Sequence, residues 1–426
     1  MDHLRNDQVI RITGADVVLS EGIETTEVTL FRGEIIAVGH ELTRTKLDEI
    51  AAETGTSTPD TRHIDASGLL LAPAMIDVHG DAFERQFMPR PGVMFPLDIA
   101  TLETDRQLAS NGIATAYHAL TLSWEPGLRS LQTAKEFVEE LDTLKERLTV
   151  DNRLQLRWET YAFEAEEMIV NLLDNESRPS LAFNDHTSMI MLNPTVTLQQ
   201  RPFEQSDGFP VADMDDPAFI AKLKIRTDRS GLDRDEYTEL LTTIWQRRAE
   251  VPEKIAKLAR KAQANNVPML SHDDSQIETR QYYHSLGATV AEFPMRESVA
   301  AFACENQDAV VFGAPNVLRG GSHMGSPGAA EMVAAERCHI LASDYYYPSM
   351  LGAVAKLAQD EVQPLHELWR LVSTNPAKAM KLDDRGEIRT GMRADLVLLD
   401  WPENICSPAT QTTFSNGRIA YSCRKQ

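Results

Sequence analysis

The stretch Leu69-Leu70-Leu71-Ala72-Pro73-Ala74-Met75-Ile76-Asp77-Val78-His79-Gly80-Asp81 decides how this chain is read. A short apolar run that ends in polar residues reads as a buried strand. Residues i and i+2 of a strand face the same way. His79 and Asp81 would therefore stand side by side at the strand's end, with Gly80 leaving the backbone uncrowded. An imidazole beside a carboxylate suits a divalent cation of the zinc, manganese or iron type. Taken alone, the pair is as well explained as a surface His and Asp at a strand end. Its weight comes from similar strand ends further along the chain.

Seven more short apolar runs succeed the one near 75–79. They lie at Gly112–Ala116, Leu154–Trp158, Leu181–Asn184, Val267–Ser271, Ala288–Phe293, Ala309–Ala314 and Ile340–Ser343, separated by segments long enough for helices. Eight β/α repeats predict an α/β fold, a (β/α)8 TIM-like barrel. Both ends of the chain read differently. Residues 8–39 show paired short strands with a turn at Arg32-Gly33, and Leu396–Asp400 and Ile419–Tyr421 return to that texture. They predict a small β-sandwich domain built from both termini, with residues 1–72 and 381–426 flanking a barrel over 73–380. The charged segment 213–261 exceeds a normal crossover and reads as a helical insertion near the barrel mouth.

Catalytic residues of such barrels sit at the C-terminal ends of the strands. Those ends deliver His79 and Asp81 from the first run, Glu159 from the third, His186 from the fourth, His272 from the fifth and Asp344 from the eighth. Each has a plainer explanation: a core histidine, an ion-pair partner for Arg157, a helix cap at Asp344. Together they predict a metal site for one or two ions, with Glu159 bridging if there are two. Asp273 and Asp274 are placed to orient His272 from behind, or to cap a helix.

Composition narrows the function classes. Net charge is −22, from 42 basic and 64 acidic residues, which argues against non-specific nucleic-acid binding. No apolar stretch approaches the ~18 residues of a membrane span. The polar start Met1-Asp2-His3-Leu4-Arg5 has no signal-peptide pattern. Cys304, Cys338, Cys406 and Cys423 are scattered, with no CxxC spacing. They predict a reducing, cytoplasmic setting and no cysteine-built metal site. A small anionic substrate is not excluded, because a site's local field can oppose the global sign, and self-association is left open.

On these residues the chain resembles the amidohydrolase superfamily over nearly its whole length. The stretches that carry the resemblance are Ile64-Asp65-Ala66-Ser67-Gly68 leading into Pro73–His79, Thr374-Asn375-Pro376-Ala377, and Gly391-Met392-Arg393-Ala394-Asp395-Leu396-Val397. The resemblance implies a metal-dependent barrel hydrolase in which Asp344 both binds metal and shuttles protons from the attacking water. A second set comprises Met88-Pro89-Arg90-Pro91, Ser271-His272-Asp273-Asp274, Ala291-Glu292-Phe293-Pro294, Gly313-Ala314-Pro315-Asn316, Arg319-Gly320-Gly321-Ser322-His323 and Ser343-Asp344-Tyr345-Tyr346. Within the superfamily this set resembles the α-D-ribose 1-methylphosphonate 5-triphosphate diphosphatase family of the carbon–phosphorus lyase pathway. That resemblance implies hydrolysis of a ribose 5-triphosphate to the 5-phosphate and pyrophosphate.

A triphosphate needs local cations. Arg319 and His323, around Gly320-Gly321, and Arg90 are the candidate phosphate contacts. Lys224 and Arg226 in the helical excursion are weaker candidates, which read more simply as a solvated charged face. The chain departs from the family pattern at Gly80 and Ala82, where Thr and Asn are usual, and at Thr187-Ser188-Met189 after the fourth run, where Pro-Gly-Gln is expected. An amidohydrolase cleaving a C–N bond of an amide or cyclic amide is the competing expectation. A non-catalytic barrel scaffold is the third, and the intact set of acids and imidazoles weighs against it.

Overall fold

Each predicted run becomes a parallel strand because both of its faces are buried, as helices on the outside and side chains on the axis require. The computed structural model describes residues 8–39, 42–54, 60–174, 178–322, 325–402 and 407–423. Its barrel strands are Met75–Gly80, Ile113–Leu122, Asp151–Glu159, Ser180–Asn184, Met269–His272, Val290–Glu292, Ala309–Gly313 and Ile340–Ala342. They are hydrogen-bonded in chain order, every neighbour parallel. Ile76, Val78, Tyr117, Ala182, Leu270, Val290, Val311, Ile340 and Ala342 fill the axis, and Ala377, Met380 and Leu382 join them. Ala377 belongs to the Thr374–Ala379 helix, so the Thr-Asn-Pro-Ala motif packs into the inner core.

The ring closes through its ends. The amide of Asp344 donates to the carbonyl of His79 at 3.0 Å, and that of Asp81 to the carbonyl of Asp344 at 2.9 Å. Where the ladder between first and last strands is missing, the buried carboxylate of Asp77 takes over. It accepts from the Ser343 amide at 3.0 Å, the Ser343 hydroxyl at 2.5 Å and the His79 amide at 3.3 Å.

The termini form one eight-stranded sheet as expected, with its own apolar core. Val9–Leu19, Gly22–Phe31, Glu34–Val38, Thr61–Asp65 and Leu70–Pro73 pair with Leu396–Asp400, Ala409–Ser415 and Arg418–Ser422. Ile12, Val17, Val28, Leu30 and Ile35 pack against Ile388, Leu396, Leu398 and Phe414.

Between Ser180–Asn184 and Met269–His272 the chain makes its longest excursion. Helix Val251–Ala264 buries Val251, Ile255, Leu258, Ala259 and Ala262, one stripe at helical spacing, against the barrel. Helices Pro217–Ser230 and Arg234–Trp245 instead share a separate small core of Phe219, Leu223, Tyr237 and Leu241 with Ile190 and Met191. Their boundaries are local chemistry. Asp216 caps the helix that starts at Pro217 by accepting from the Ala218 amide, Gly231 ends that helix at φ +75°, and Asp233 and Glu236 form a reciprocal capping box. Among the described residues no helix is long and apolar enough to cross a membrane. Cys304, Cys338 and Cys423 are free thiols; Cys406 lies outside the described residues.

Candidate active site

Three strand ends carry the site, and each breaks the same way. Asp273, Phe293 and Asp344 directly follow or lie just past their strands with φ of 57°, 53° and 54°. Left-handed backbone is costly for residues other than glycine and clusters at functional sites. Each amide nevertheless stays paired across the barrel: Asp273 to the Glu292 carbonyl at 2.9 Å, Phe293 to that of Val311 at 3.0 Å, and Asp344 to that of His79. The chain turns sharply there without leaving a buried amide unpaired.

The expected histidines and acids meet at this rim. His79, Asp81 and Asp344 offer ligand atoms within 4.8 Å of one another, and so do His186, His272 and Asp273. The His79 and His272 rings stack with centroids 5.4 Å apart, and His186 stands edge-on to His272 at 5.9 Å. Burial lifts the Asp344 carboxyl to about 7, and the nearby Asp81 charge adds to the effect. Burial likewise holds the His186 and His272 rings below the ordinary imidazole range, which keeps them neutral.

The organising residue escaped the sequence reading. Glu292, wholly buried at the end of the sixth strand, accepts from Nδ1 of His79 at 2.9 Å, Nδ1 of His272 at 2.7 Å and Nε2 of Gln155 at 2.8 Å. Burial alone would raise its carboxyl. The His79 charge and the two imidazole hydrogen bonds outweigh that and hold it far below the usual range. Because Nδ1 of both rings donates to Glu292, both Nε2 atoms are left facing away from it, the arrangement that orients histidine ligands at metal sites. The available signal was positional: Glu292 ends its strand as His272 ends the one before.

Arg157 was also missed. Its side chain is 7% exposed, and its Nη2 lies 3.0 Å from Nε2 of His272. It does not pair with Glu159, the partner expected from the sequence. Glu159 lies behind His186 rather than among the three convergent groups. Its carboxylate accepts from the His186 and Thr187 amides and the Thr187 hydroxyl, at 3.0, 3.0 and 2.7 Å, and lies 3.5 Å from Nδ1 of His186. Asp274 bonds Ser271 and approaches Arg280, whereas Asp273 lies 3.5 Å from Nε2 of His272.

Two cavities flank the imidazoles. One, of about 170 Å³, is lined by His79, Arg157, His272, Asp344, Asn316 and Arg319. A smaller one, about 90 Å³, lies beyond His186. Arg319 thus reaches the site. Arg90 is exposed on its loop and lines neither cavity, because the Arg90–Val93 bridge folds that loop on itself. His323 lies outside the described residues. A larger cavity, of about 650 Å³, is elsewhere, between the terminal sheet and Glu146–Arg153. It contains none of the clustered imidazoles, so size does not locate the chemistry here.

Known proteins resemble this chain in sequence and in fold. A family profile described as "Amidohydrolase family" matches residues 344–421, beginning at Asp344. A curated protein of Escherichia coli (strain K12), alpha-D-ribose 1-methylphosphonate 5-triphosphate diphosphatase, is 29% identical over 358 residues, 83% of this chain and 88% of that protein. Both matches support the resemblance of this chain to the amidohydrolase superfamily. The fold is shared with solved structures of distant sequence. A beta-aspartyl dipeptidase of Fervidobacterium islandicum AW-1 superimposes with TM-score 0.59 at 14% identity, over 97% of both chains. Phenylurea hydrolase B does so with TM-score 0.57 at 12% identity, over 96% of both.

Proposed function

We propose that the chain is a divalent-cation-dependent hydrolase that cleaves α-D-ribose 1-methylphosphonate 5-triphosphate, the substrate named for its Escherichia coli relative, to the 5-phosphate and pyrophosphate. The observation that carries this reading is the meeting of His79, Asp81 and Asp344 where the barrel closes, beside a cavity that Arg319 also lines. The donors suit zinc, manganese or iron: imidazoles held by a buried carboxylate, free carboxylates and no thiolate. A cation held there would acidify water and offset phosphate charge.

The chain's own residues divide the remaining work. Asp344 receives a proton from the attacking water, whose oxygen bonds to the α-phosphorus. The bond from that phosphorus to its bridging oxygen breaks, and pyrophosphate leaves with the electron pair. Arg319 neutralises phosphate oxygens at the cavity wall. Glu292 keeps His79 and His272 in fixed tautomers throughout.

The test is product analysis by phosphorus NMR, with the metal-reconstituted chain given a ribose 5-triphosphate and, in parallel, N-acyl and cyclic amide compounds. Equal release of pyrophosphate and 5-phosphate is expected. Turnover of the amides alone would replace this reading with C–N hydrolysis.

A further inference from the structure

The cavity of about 90 Å³ beyond His186 is rich in cations, in a protein whose net charge is −22. Arg129, Arg226 and Arg229 line it together with Ser123, Trp124 and Thr187. The three guanidiniums are not equivalent. Arg129 is held by a two-pronged bond to Glu84, 2.8 Å on each side. Arg229 bonds Glu125, which also accepts the Tyr237 hydroxyl at 2.5 Å. Arg226 forms no hydrogen bond or ion pair among the described residues, and its Nε is buried without a partner.

An unpaired guanidinium atom buried beside two others is expensive unless something else satisfies it. The crowding is real: burial and then the neighbouring Arg129 charge hold Arg229 below its ordinary range. The Glu125 charge acts on Arg226 at a distance, but among the described residues no acid in the cavity hydrogen-bonds it. Glu125 is engaged by Arg229 and Tyr237, and both oxygens of Glu159 take donors from the start of their own helix. A planar fork of donors with no internal acceptor matches a phosphate group.

We infer that this cavity is a binding site for a diphosphate group, with Arg226 as its anchor and Arg129 and Arg229 flanking it. The inference rests on the proposed reaction in one respect: the diphosphate would be the β- and γ-phosphates of the substrate, which depart as pyrophosphate. His186 forms the wall shared with the imidazole cluster, so a chain of phosphates could run from one cavity into the other. The helical excursion thereby supplies an anchor that the barrel strands do not.

The test is calorimetric titration of the metal-loaded chain with inorganic pyrophosphate, comparing native protein, Arg226→Met and the exposed control Arg106→Met. Pyrophosphate should bind the native chain and the control alike, and bind Arg226→Met at least tenfold more weakly. Metal content and unfolding midpoint should be unchanged in Arg226→Met, because Arg226 bonds nothing in the fold. Equal pyrophosphate affinity in native and Arg226→Met overturns the site. Arg226-dependent pyrophosphate binding in a chain that releases none from a ribose 5-triphosphate keeps the site and removes the reaction. Normal turnover, with KM and pyrophosphate affinity unmoved by Arg226→Met, keeps the reaction and removes the site.

Discussion

The guanidinium Nη2 of Arg157 stands 3.0 Å from Nε2 of His272, and Nη1 stands 3.7 Å from Oδ2 of Asp81. Nδ1 of His272 donates to Glu292, so Nε2 carries the ring's free lone pair. Arg157 and a divalent cation therefore compete for one lone pair and one carboxylate. Replacing Arg157 with Met should let His186, His272 and Asp273 take an ion that native protein binds poorly. Zinc titration is expected to show up to one more ion per chain, or about tenfold tighter binding, worth ~1.4 kcal/mol. Identical stoichiometry and affinity would mean that Arg157 does not occupy a cation's place.

Glu292 joins His79 to His272, which lie 193 residues apart along the chain and belong to different strands. Glu292→Gln keeps the shape but makes one terminal atom a donor, so one of the two imidazoles must turn or change tautomer. Partners of this kind typically contribute 10–100-fold to metal affinity or activity. Glu292→Gln should lose metal affinity by that factor, with helix content unchanged by circular dichroism. A variant that binds metal as native does would show the histidines to be oriented by something else.

How much of this was legible in advance depends on particular residues. The eight strands could be read because each is a short apolar run between longer helical patterns. His79, His186, His272 and Asp344 could be found because each stands at, or within two residues of, the end of such a run. The third strand was harder. Gln155, Arg157 and Glu159 alternate with Leu154, Leu156 and Trp158, the pattern of a strand with one polar face, and ordinarily that face is wet. Here it points inward: Gln155 reaches Glu292, Arg157 reaches His272 and Glu159 ties down the turn at His186. Period gives the two faces of a strand but not which one looks at the axis. Arg226, a weaker phosphate candidate in the sequence, was hard to place for a related reason. A charged helical segment looks solvated until its packing shows which charges face a cavity.

Gly80 shows what the tight closure requires. A Cβ there would come within 2.6 Å of Oδ2 of Asp77, 3.0 Å of the Tyr347 ring and 3.2 Å of the Ser343 hydroxyl. Gly80→Ala should therefore destabilise the fold by about 1–3 kcal/mol, the usual cost of overpacking a filled site. Asp77→Ala removes the nearest obstacle but also the bonds to Ser343. The double variant should be less unstable than the sum of the two singles, because the clash is shared. Urea unfolding measures all three, and strict additivity would place the strain elsewhere.

At the opposite end of the barrel, Arg385 ties the ring to the terminal sheet. Its Nη1 donates to Asp151 at 2.7 Å and Thr115 at 2.8 Å and lies 3.7 Å from Asp395, with the side chain 4% exposed. Burial by itself would raise the Asp151 carboxyl; Arg153 and Arg385, with Arg393, outweigh it and hold it below its ordinary range. A carboxyl depressed in the folded state binds fewer protons there than in the unfolded chain. Its contribution to stability is therefore complete above the unfolded value of about 3.9 and lost as pH falls through the lower folded value. Arg385→Met, which leaves Asp395 to Arg393 and the Asn416 amide and weakens the hold on Asp151, should cost about 1.5–3 kcal/mol at pH 7. Asp151→Asn should be less stable than native protein at pH 7, with the gap closing as pH falls below about 4. Urea midpoints measured from pH 7 to pH 3 check both expectations, and a gap that stays constant with pH would separate Asp151 from the stability of this joint.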